Sequence, residues 1–321
     1  MPVRLVVCGL TVGRFIVGLL RILSGHKVDG SGGVAVKNVR VIGCFLVFLV
    51  GAVAGVTSCS VRHPPQERIT TDTYEIVDDY SGTEAGRYNN RGAIRLTKGD
   101  VQGAIEDFKE AVKLDPQESN YYENLGWALS MRGEQTEAFK NVDIATRLRP
   151  KDAELYWKRG VINGRLERYR WAIDDFTTAL AMNPKLAKAY GDRGVAKSFL
   201  QDWPGAITDA TDAIKLDSGN AAAFRQRGMA KLKMNDVSGA VDDATNALRL
   251  STNDTEAYLL RAEAKAQAND QFGARDDLNA AIQLNPNLPR AYQMRAQVRK
   301  QLGDRNGARE DEERALKVSS Q

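Results

Sequence analysis

A period of 34 residues runs through nearly three quarters of the chain and constrains its fold more than any other feature. From Ala85 onward, seven units follow one another without an insertion or deletion, beginning at residues 85, 119, 153, 187, 221, 255 and 289. Position 4 of every unit is aromatic, position 8 is Gly or Ala, and positions 20 and 27 are always Ala. A single unit cannot bury its apolar faces alone, so we expect the units to stack and share a continuous core.

The apolar pattern within each unit predicts two helices joined by a tight turn. Positions 4, 8 and 11, and then 20, 24 and 27, have the three- or four-residue spacing of amphipathic helices. Position 15 is Gly or Asn in five units, and these residues tolerate the left-handed conformation that ends a helix. Position 16 is Asp in five units, which predicts an N-cap for the second helix. The predicted fold class is therefore all-α.

This arrangement resembles the tetratricopeptide repeat, whose signature has an aromatic residue, a Gly and two Ala at these offsets, with Pro near the end. Position 32 is Pro in four units: Pro116, Pro150, Pro184 and Pro286. The resemblance implies a right-handed α-solenoid of seven 34-residue helix-turn-helix repeats. In repeat seven, position 24 is Glu312 instead of the usual large apolar residue, and position 17 is Arg305. We therefore expect the second helix of this repeat to have a polar outer side that caps the stack.

Position 7 departs from the family, in which leucine is common. It is Arg in six units, and the same six units have Asp at position 23, whereas repeat two has Leu125 and Asn141 instead. These positions lie opposite one another in an antiparallel hairpin. We therefore predict a ladder of Arg–Asp pairs, each partly exposed and worth about 0 to 1 kcal/mol. The alternative is a row of arginines that points into the groove and binds anions.

The resemblance assigns positions 2, 5, 6, 9, 12 and 13 of the first helices to a concave wall. In the middle repeats this wall combines aromatic and apolar residues with Lys and Arg, a composition typical of peptide grooves. The predicted partner-binding residues are Trp127, Met131, Trp157, Lys158, Arg165, Lys188, Phe199, Arg225, Met229 and Lys233. They favour a protein segment with apolar and acidic side chains. The competing interpretation, that Trp127 and Trp157 only pack against neighbouring helices, is equally open.

The residues before the repeats predict a signal segment and an anchor. Residues 41–56 are apolar and uncharged and follow a basic pair, as in a signal peptide, and they are shorter than the roughly 20 residues of a spanning helix. They lead into Val56-Thr57-Ser58-Cys59, which resembles the bacterial lipobox. The resemblance implies that residues 34–58 are removed as a lipoprotein signal peptide and that Cys59 carries the lipid.

Two further segments flank this signal. We expect residues 1–33 to be an upstream extension from a start codon assigned too early. Residues 59–84 hold the lipidated cysteine and a flexible tether, which has six acidic residues against two basic ones. The repeats then occupy residues 85–321. Ser60 favours an outer-membrane location, so we expect a lipid-anchored protein of the bacterial cell envelope that faces the periplasm.

Charge and residue usage narrow the function. Residues 85–321 carry 37 Lys and Arg against 34 Asp and Glu, so nucleic acid is not an expected partner. All Cys and His residues lie before residue 64, and we expect no enzyme activity, cofactor or metal. The prediction is a scaffold or adaptor for a cell-envelope complex that binds a protein or peptide segment in its concave groove. A small-ligand-binding protein and a structural self-assembling periplasmic solenoid are the alternatives, and the oligomeric state stays open.

Overall fold

The computed structural model describes residues 82–319. The chain divides into two units, Met1–Pro65 and Gln66–Gln321, and the described residues all belong to the second. The predicted signal segment, Cys59 and most of the tether lie outside the described residues. No helix within 82–319 combines the length and the hydrophobicity needed to cross a bilayer.

Between residues 82 and 319 the chain folds into fourteen helices that pair as seven hairpins. In chain order they are α1 (Glu84–Thr97), α2 (Val101–Leu114), α3 (Ser119–Met131), α4 (Gln135–Leu148), α5 (Ala153–Arg165), α6 (Tyr169–Met182), α7 (Ala187–Phe199), α8 (Trp203–Leu216), α9 (Ala221–Lys233), α10 (Val237–Leu250), α11 (Thr255–Gln267), α12 (Gln271–Leu284), α13 (Pro289–Gln301) and α14 (Arg305–Ser319). Each first helix packs against its own second helix, and from α3 onward each first helix also packs against the second helix of the preceding repeat. The predicted all-α solenoid of seven 34-residue hairpins is confirmed.

The turn inside each hairpin ends the first helix with one residue in the left-handed region. Position 15 has a positive φ in all seven repeats: Gly99, Gly133, Glu167, Gln201, Asn235, Asn269 and Gly303. The sequence predicts this conformation for the Gly and Asn residues. The structure adds Glu167 and Gln201, at φ of 60° and 61°. Left-handed backbone costs such a residue about 1 to 2 kcal/mol, so the stacking of the helices imposes it.

The predicted Asp caps are confirmed at the start of five second helices. Asp100, Asp202, Asp236, Asp270 and Asp304 each accept a hydrogen bond from the backbone N–H three residues later, at 2.9 to 3.0 Å. The donor is Gly in each case, and a Cβ there would lie 2.2 to 2.3 Å from the Asp Oδ2 atom. Repeats two and three lack both the Asp and the Gly, and their caps make no side-chain hydrogen bond.

Small residues allow the two helices of a hairpin to approach closely. The Ala residues at positions 20 and 27 are at most 3% exposed in every repeat. At position 8, a Cβ on Gly92 would lie 2.7 Å from the ring of Phe108, and one on Gly160 would lie 2.6 Å from the ring of Phe176. Glycine is therefore needed wherever the facing second helix carries a large ring.

The outer side of α14 is polar, as the sequence predicts for a terminal repeat. Glu312 is exposed and pairs with Lys300 at 2.5 Å, and the other exposed residues of this helix are mainly Arg and Glu. Leu316, which is 73% exposed, is the exception. The described stack therefore ends on a surface that is compatible with solvent.

Candidate functional site

The predicted Arg–Asp ladder is present in six repeats. Arg227 donates from Nε and Nη2 to the two carboxylate oxygens of Asp243, at 2.9 and 2.7 Å. The equivalent bonds join Arg91 to Asp107, Arg159 to Asp175, Arg193 to Asp209, Arg261 to Asp277, and Arg295 to Asp311. The arginines are therefore committed to structural pairs, and the anion-binding alternative is wrong.

The arginine side chains of these pairs are 14% to 55% exposed, as the sequence predicts, whereas the carboxylates are more buried than expected. The six carboxylate side chains are only 1% to 8% exposed, because the second helix turns them into the space between the helices of the hairpin. Removing one partner from a buried pair leaves an uncompensated charge and typically costs about 3 to 5 kcal/mol. The carboxylates of the ladder are therefore part of the core.

Each ladder arginine also contacts a ring, and five of the six contact a second repeat. The guanidinium carbon lies 4.9 to 5.7 Å from the centre of the aromatic ring at position 4. In repeats three to seven its Nη1 atom donates to position 25 of the preceding repeat, for example to Thr211 from Arg227 at 3.3 Å. The arginine thus joins two neighbouring second helices.

Position 11 supplies a second cation that the sequence analysis missed. Lys197, Lys231 and Lys265 lie 2.8 to 2.9 Å from the ladder carboxylates of their own repeats, and Arg95 and Arg299 lie at 3.0 and 3.1 Å. The helical spacing assigns position 11 to the apolar face. The signal that could have identified it is that five of its seven residues are Lys or Arg.

Repeat three has Asn163 at position 11 in place of a cation. Its Nδ2 atom donates to Asp175 at 2.8 Å, and Arg159 is the cation that binds this carboxylate. Burial raises the pKa of Asp175, and the hydrogen bonds from Arg159 and Asn163 offset this only in part. Burial lowers the pKa of Arg159, but Asp175 and Asp143 outweigh it and leave that pKa raised. Asp175 is thus less compensated than a carboxylate with two cations.

Trp127 and Trp157 lie on the first-helix wall, which is the surface formed by α1, α3, α5, α7, α9, α11 and α13. They are only 6% and 3% exposed, and their ring centres are 5.9 Å apart. Trp157 Nε1 donates to Asp192 at 2.6 Å, and Lys188 Nζ lies 3.7 Å from the centre of the Trp157 ring. The structure therefore supports the interpretation in which both indoles pack between helices.

Four of the five cations predicted for this wall already have partners. Lys158 pairs with Glu123 at 2.5 Å and Lys188 with Glu154 at 2.6 Å. Arg165 donates to Ser130 Oγ at 2.6 Å, and Arg225 pairs with Asp254 at 3.1 Å. Lys233 is exposed. Less free positive charge is thus available to an acidic partner than the sequence indicates.

The other predicted wall residues occupy two different surroundings. Met131 and Met229 are half-buried along the wall. Phe199 is 49% exposed and stacks on Tyr169 with ring centres 4.4 Å apart. Tyr169 begins a second helix, so Phe199 faces the turns of the hairpins. Phe199 therefore lies in different surroundings from the two methionines.

A cleft of about 450 Å³ opens on the wall between α11 and α13. It is lined by Ala262, Glu263, Ala266, Gln267, Leu278, Arg290, Met294, Gln297, Val298 and Gln301. Arg290 pairs with Glu263 at 3.0 Å across its rim, and each of these side chains is 38% exposed. The cleft thus combines an apolar floor, three amide groups and one solvent-accessible ion pair.

The cleft lies at wall positions that carry indoles in repeats two and three. Trp127 and Trp157 occupy positions 9 and 5, where they fill the space between α3 and α5. The corresponding residues between α11 and α13 are Glu263 and Gln293. No ring fills the space there, and the wall is open.

Sequence reasoning missed the cleft, although the signal was present. The same wall positions, applied to repeats six and seven, give Glu263, Ala266, Gln267, Arg290, Met294, Gln297 and Gln301. The sequence instead favours the middle repeats, because their aromatic residues resemble binding anchors. Within residues 82–319, no group of three or more His, Cys, Asp and Glu side chains could hold a metal ion.

Two stretches of the chain match models of the tetratricopeptide repeat, residues 85–118 and residues 225–289. These stretches belong to the same uninterrupted series of hairpins. The seven hairpins have the tetratricopeptide repeat fold. Tetratricopeptide repeat proteins generally mediate protein–protein interactions and are typically not enzymes.

Solved structures share this tetratricopeptide fold. A tetratricopeptide repeat protein from Parabacteroides merdae is 18% identical over 73% of this chain and 93% of its own, with a TM-score of 0.61. Pseudomonas aeruginosa pilF is 19% identical over 60% and 88%, with a TM-score of 0.55. A chain of the APC/C hetero-tetramer Cut9-Hcn1 is 20% identical over 70% of this chain and 45% of its own, with a TM-score of 0.60. A comparison with curated proteins finds no match.

Proposed function

We propose that this tetratricopeptide protein is an adaptor that binds a segment of a protein partner along its first-helix wall, with the α11–α13 cleft as the principal contact. The observation that carries this proposal is the cleft itself. Met294 and Val298 lie beside the amides of Gln297 and Gln301, which donate and accept hydrogen bonds. An extended segment presents the complementary groups, namely backbone N–H and C=O groups and an apolar side chain.

The ion pair at the rim supports a partner that is both apolar and acidic. Because Arg290 and Glu263 are both accessible, their pair contributes about 0 to 1 kcal/mol and exchanges readily. A carboxylate from a partner can replace Glu263 as the partner of Arg290. This exchange gives the cleft a preference for a segment in which an acidic residue lies near an apolar one.

We also propose that the adaptor is held at a bacterial membrane by lipid on Cys59 and serves a cell-envelope complex, with the repeats in the periplasm beside the outer membrane. The support is in the sequence, where the apolar segment, the lipobox-like tetrapeptide and a polar tether follow one another in the order typical of lipoproteins. Ser60 favours the outer membrane.

Affinity capture from detergent-solubilised envelopes tests the binding part of the proposal. Gln297→Trp places a large ring in the cleft, as the indoles do in repeats two and three. Gln283→Trp is the matched control, because Gln283 is exposed on the second helix α12. We expect Gln297→Trp to lose proteins that the wild type and Gln283→Trp both recover. Recovery of the same proteins by all three would contradict a binding role for the cleft.

Mass spectrometry of the mature amino terminus tests the anchor separately. We expect a mature chain that begins at Cys59 and carries acyl groups, and we expect Cys59→Ala to leave the membrane fraction. A mature protein that retains residues before Cys59 would overturn the anchor and leave the cleft proposal intact.

A further inference from the structure

The hairpin turns of repeats three and four carry exposed apolar side chains that lie together on one edge of the stack. Trp171 is 57% exposed, Phe199 49% and Leu200 43%. Phe199, at the end of α7, stacks on Tyr169, at the start of α6. A cleft of about 310 Å³ opens beside the two rings. Phe199 and the residues that line this cleft form the edge patch: Glu167, Arg168, Tyr169, Arg170, Trp171 and Leu200.

Repeat three lacks a helix cap at the place where its indole is exposed. Five repeats form this cap with Asp at position 16 and Gly at position 19, whereas repeat three has Arg168 and Trp171 there. The α6 helix consequently begins without a side-chain cap. The guanidinium carbon of Arg168 instead lies 5.2 Å from the centre of the Trp171 ring. An exposed aromatic side chain in place of a stabilising residue is typical of an interaction surface.

The edge patch holds charges of both signs that have no counterion within the described part of the chain. Glu167, Arg168 and Arg170 are exposed, and none of the three forms an ion pair with another residue of 82–319. An acidic partner would neutralise the arginines but would bring a like charge to Glu167, and a basic partner would do the reverse. A second copy of the same surface offers both signs and therefore fits all three residues.

We propose that the edge patch is the contact surface of a homodimer with twofold symmetry. In such a contact the same surface of both copies meets, so the patch must be complementary to itself. The exposed ring of Trp171 lies beside the cleft, and the twofold axis inserts the ring of each copy into the cleft of the other. Glu167 of one copy then faces Arg168 or Arg170 of the other.

The area of the patch indicates a weak dimer. A fully buried aromatic side chain covers about 150 to 250 Å², and Trp171 and Phe199 expose about half of theirs. With Leu200, the apolar side chains supply roughly 300 Å² per copy, against roughly 800 Å² in a standard interface. The charged side chains add to this area. The dimer therefore exchanges with the monomer, and it is independent of the partner that binds the α11–α13 cleft.

Photo-crosslinking in intact cells tests the dimer in the full-length protein. The photoreactive amino acid p-benzoylphenylalanine replaces Phe199, and two copies with different affinity tags are expressed together. We expect ultraviolet light to give a product of doubled mass that carries both tags. The matched control places the same amino acid at Phe272, which is 64% exposed near the start of α12 and lies outside the edge patch. We expect no product of doubled mass from the control.

Trp171→Glu tests whether the indole makes the contact. Repeat two has an exposed Glu137 at the same position, so the substitution is compatible with the fold. We expect it to weaken the dimer about 30-fold, as is typical when an aromatic anchor is removed from an interface, and the yield of the doubled product to fall accordingly. Phe272→Glu makes the same change outside the edge patch, and we expect it to leave the yield unchanged.

Three results would overturn the homodimer. The first is a crosslink from position 199 to a different protein or to lipid, or no crosslink at all. The second is an equal yield of doubled product from positions 199 and 272. The third is a yield that Trp171→Glu leaves at the wild-type level.

Discussion

Arg227 and Asp243 lie 16 residues apart and are joined by two hydrogen bonds across the hairpin of repeat five. The bond to Asp243 raises the pKa of Arg227. Lys231 contacts the same carboxylate at 2.9 Å, and the ring of Phe224 lies under the guanidinium. A position that is commonly leucine in the family is thus occupied by a charged group that contacts Asp243, Phe224 and, in the preceding repeat, Thr211.

The first prediction concerns the removal of this carboxylate. Asp243→Ala leaves Arg227 and Lys231 without the anion that both contact, so we expect the free energy of unfolding to fall by about 3 kcal/mol. Urea unfolding followed by circular dichroism measures the change. Asp242→Ala is the control, because Asp242 is the exposed neighbour on the same helix. A similar loss in both variants would show that the ladder pair has no special contribution.

The second prediction concerns the pH dependence that Asp175 introduces. Burial raises the pKa of this carboxyl above its ordinary value, so the folded protein binds the proton more tightly than the unfolded chain does. As the pH falls from neutrality through the folded pKa toward about 3.9, the contribution of Asp175 to stability therefore increases. Below that pH both states are protonated and the contribution stays constant.

Carbon NMR of the carboxyl group measures the pKa of Asp175 directly. Urea unfolding at several pH values then compares the wild type with Asp175→Asn, which has no titrating group at this position. We expect the stability of the wild type relative to the variant to rise as the pH is lowered through the window. A pKa at or below the ordinary value of Asp would contradict this prediction.

Most of the fold could be predicted from the sequence because the residue patterns that determine it are local and recur through seven repeats. The Asp caps depend on Asp at position 16 and Gly at position 19, and both can be read within one turn of helix. The ladder could be predicted because repeat two changes both members together, to Leu125 and Asn141. Repeat two has a further reason to lack the arginine. A ladder arginine contacts position 25 of the preceding repeat, and in repeat one that residue is Lys109, so an arginine in place of Leu125 would meet a like charge.

The candidate site was harder to predict because accessibility depends on neighbouring repeats. Trp157 has the composition of a binding anchor, but its burial results from Trp127 one repeat earlier and Asp192 one repeat later. The α11–α13 cleft is the opposite case, since it arises where large side chains are missing. The sequence of one unit does not show how much space its neighbour leaves.

The third prediction separates a buried indole from an exposed one. Trp157→Ala removes a large side chain from the core, and we expect it to lower the free energy of unfolding by about 3 to 5 kcal/mol. Trp171 is 57% exposed, and its contact with Arg168 contributes only about 0.5 kcal/mol at such a site. We therefore expect Trp171→Ala to change stability by less than about 1 kcal/mol.

Thermal unfolding monitored by circular dichroism compares the two tryptophan variants. This experiment also decides how a binding assay should be designed. If Trp157→Ala is destabilised as expected, the loss of a binding partner by that variant reports lost structure rather than a lost contact. Equal stability of the two variants would show that Trp157 is not part of the core.

The fourth prediction uses the left-handed turn at position 15. Gln201 has a φ of 61°, whereas the same position in repeats one, two and seven is Gly. Gly adopts this conformation without the steric cost of a Cβ, although it loses more entropy on folding. We expect Gln201→Gly to raise the free energy of unfolding by about 0.5 to 1 kcal/mol, as measured by urea unfolding.

Gly99→Ala makes the reverse change at a φ of 82°, and we expect it to destabilise the protein by about 1 kcal/mol. A Gln201→Gly variant less stable than the wild type would mean that the side chain of Gln201 contributes more than its backbone conformation costs.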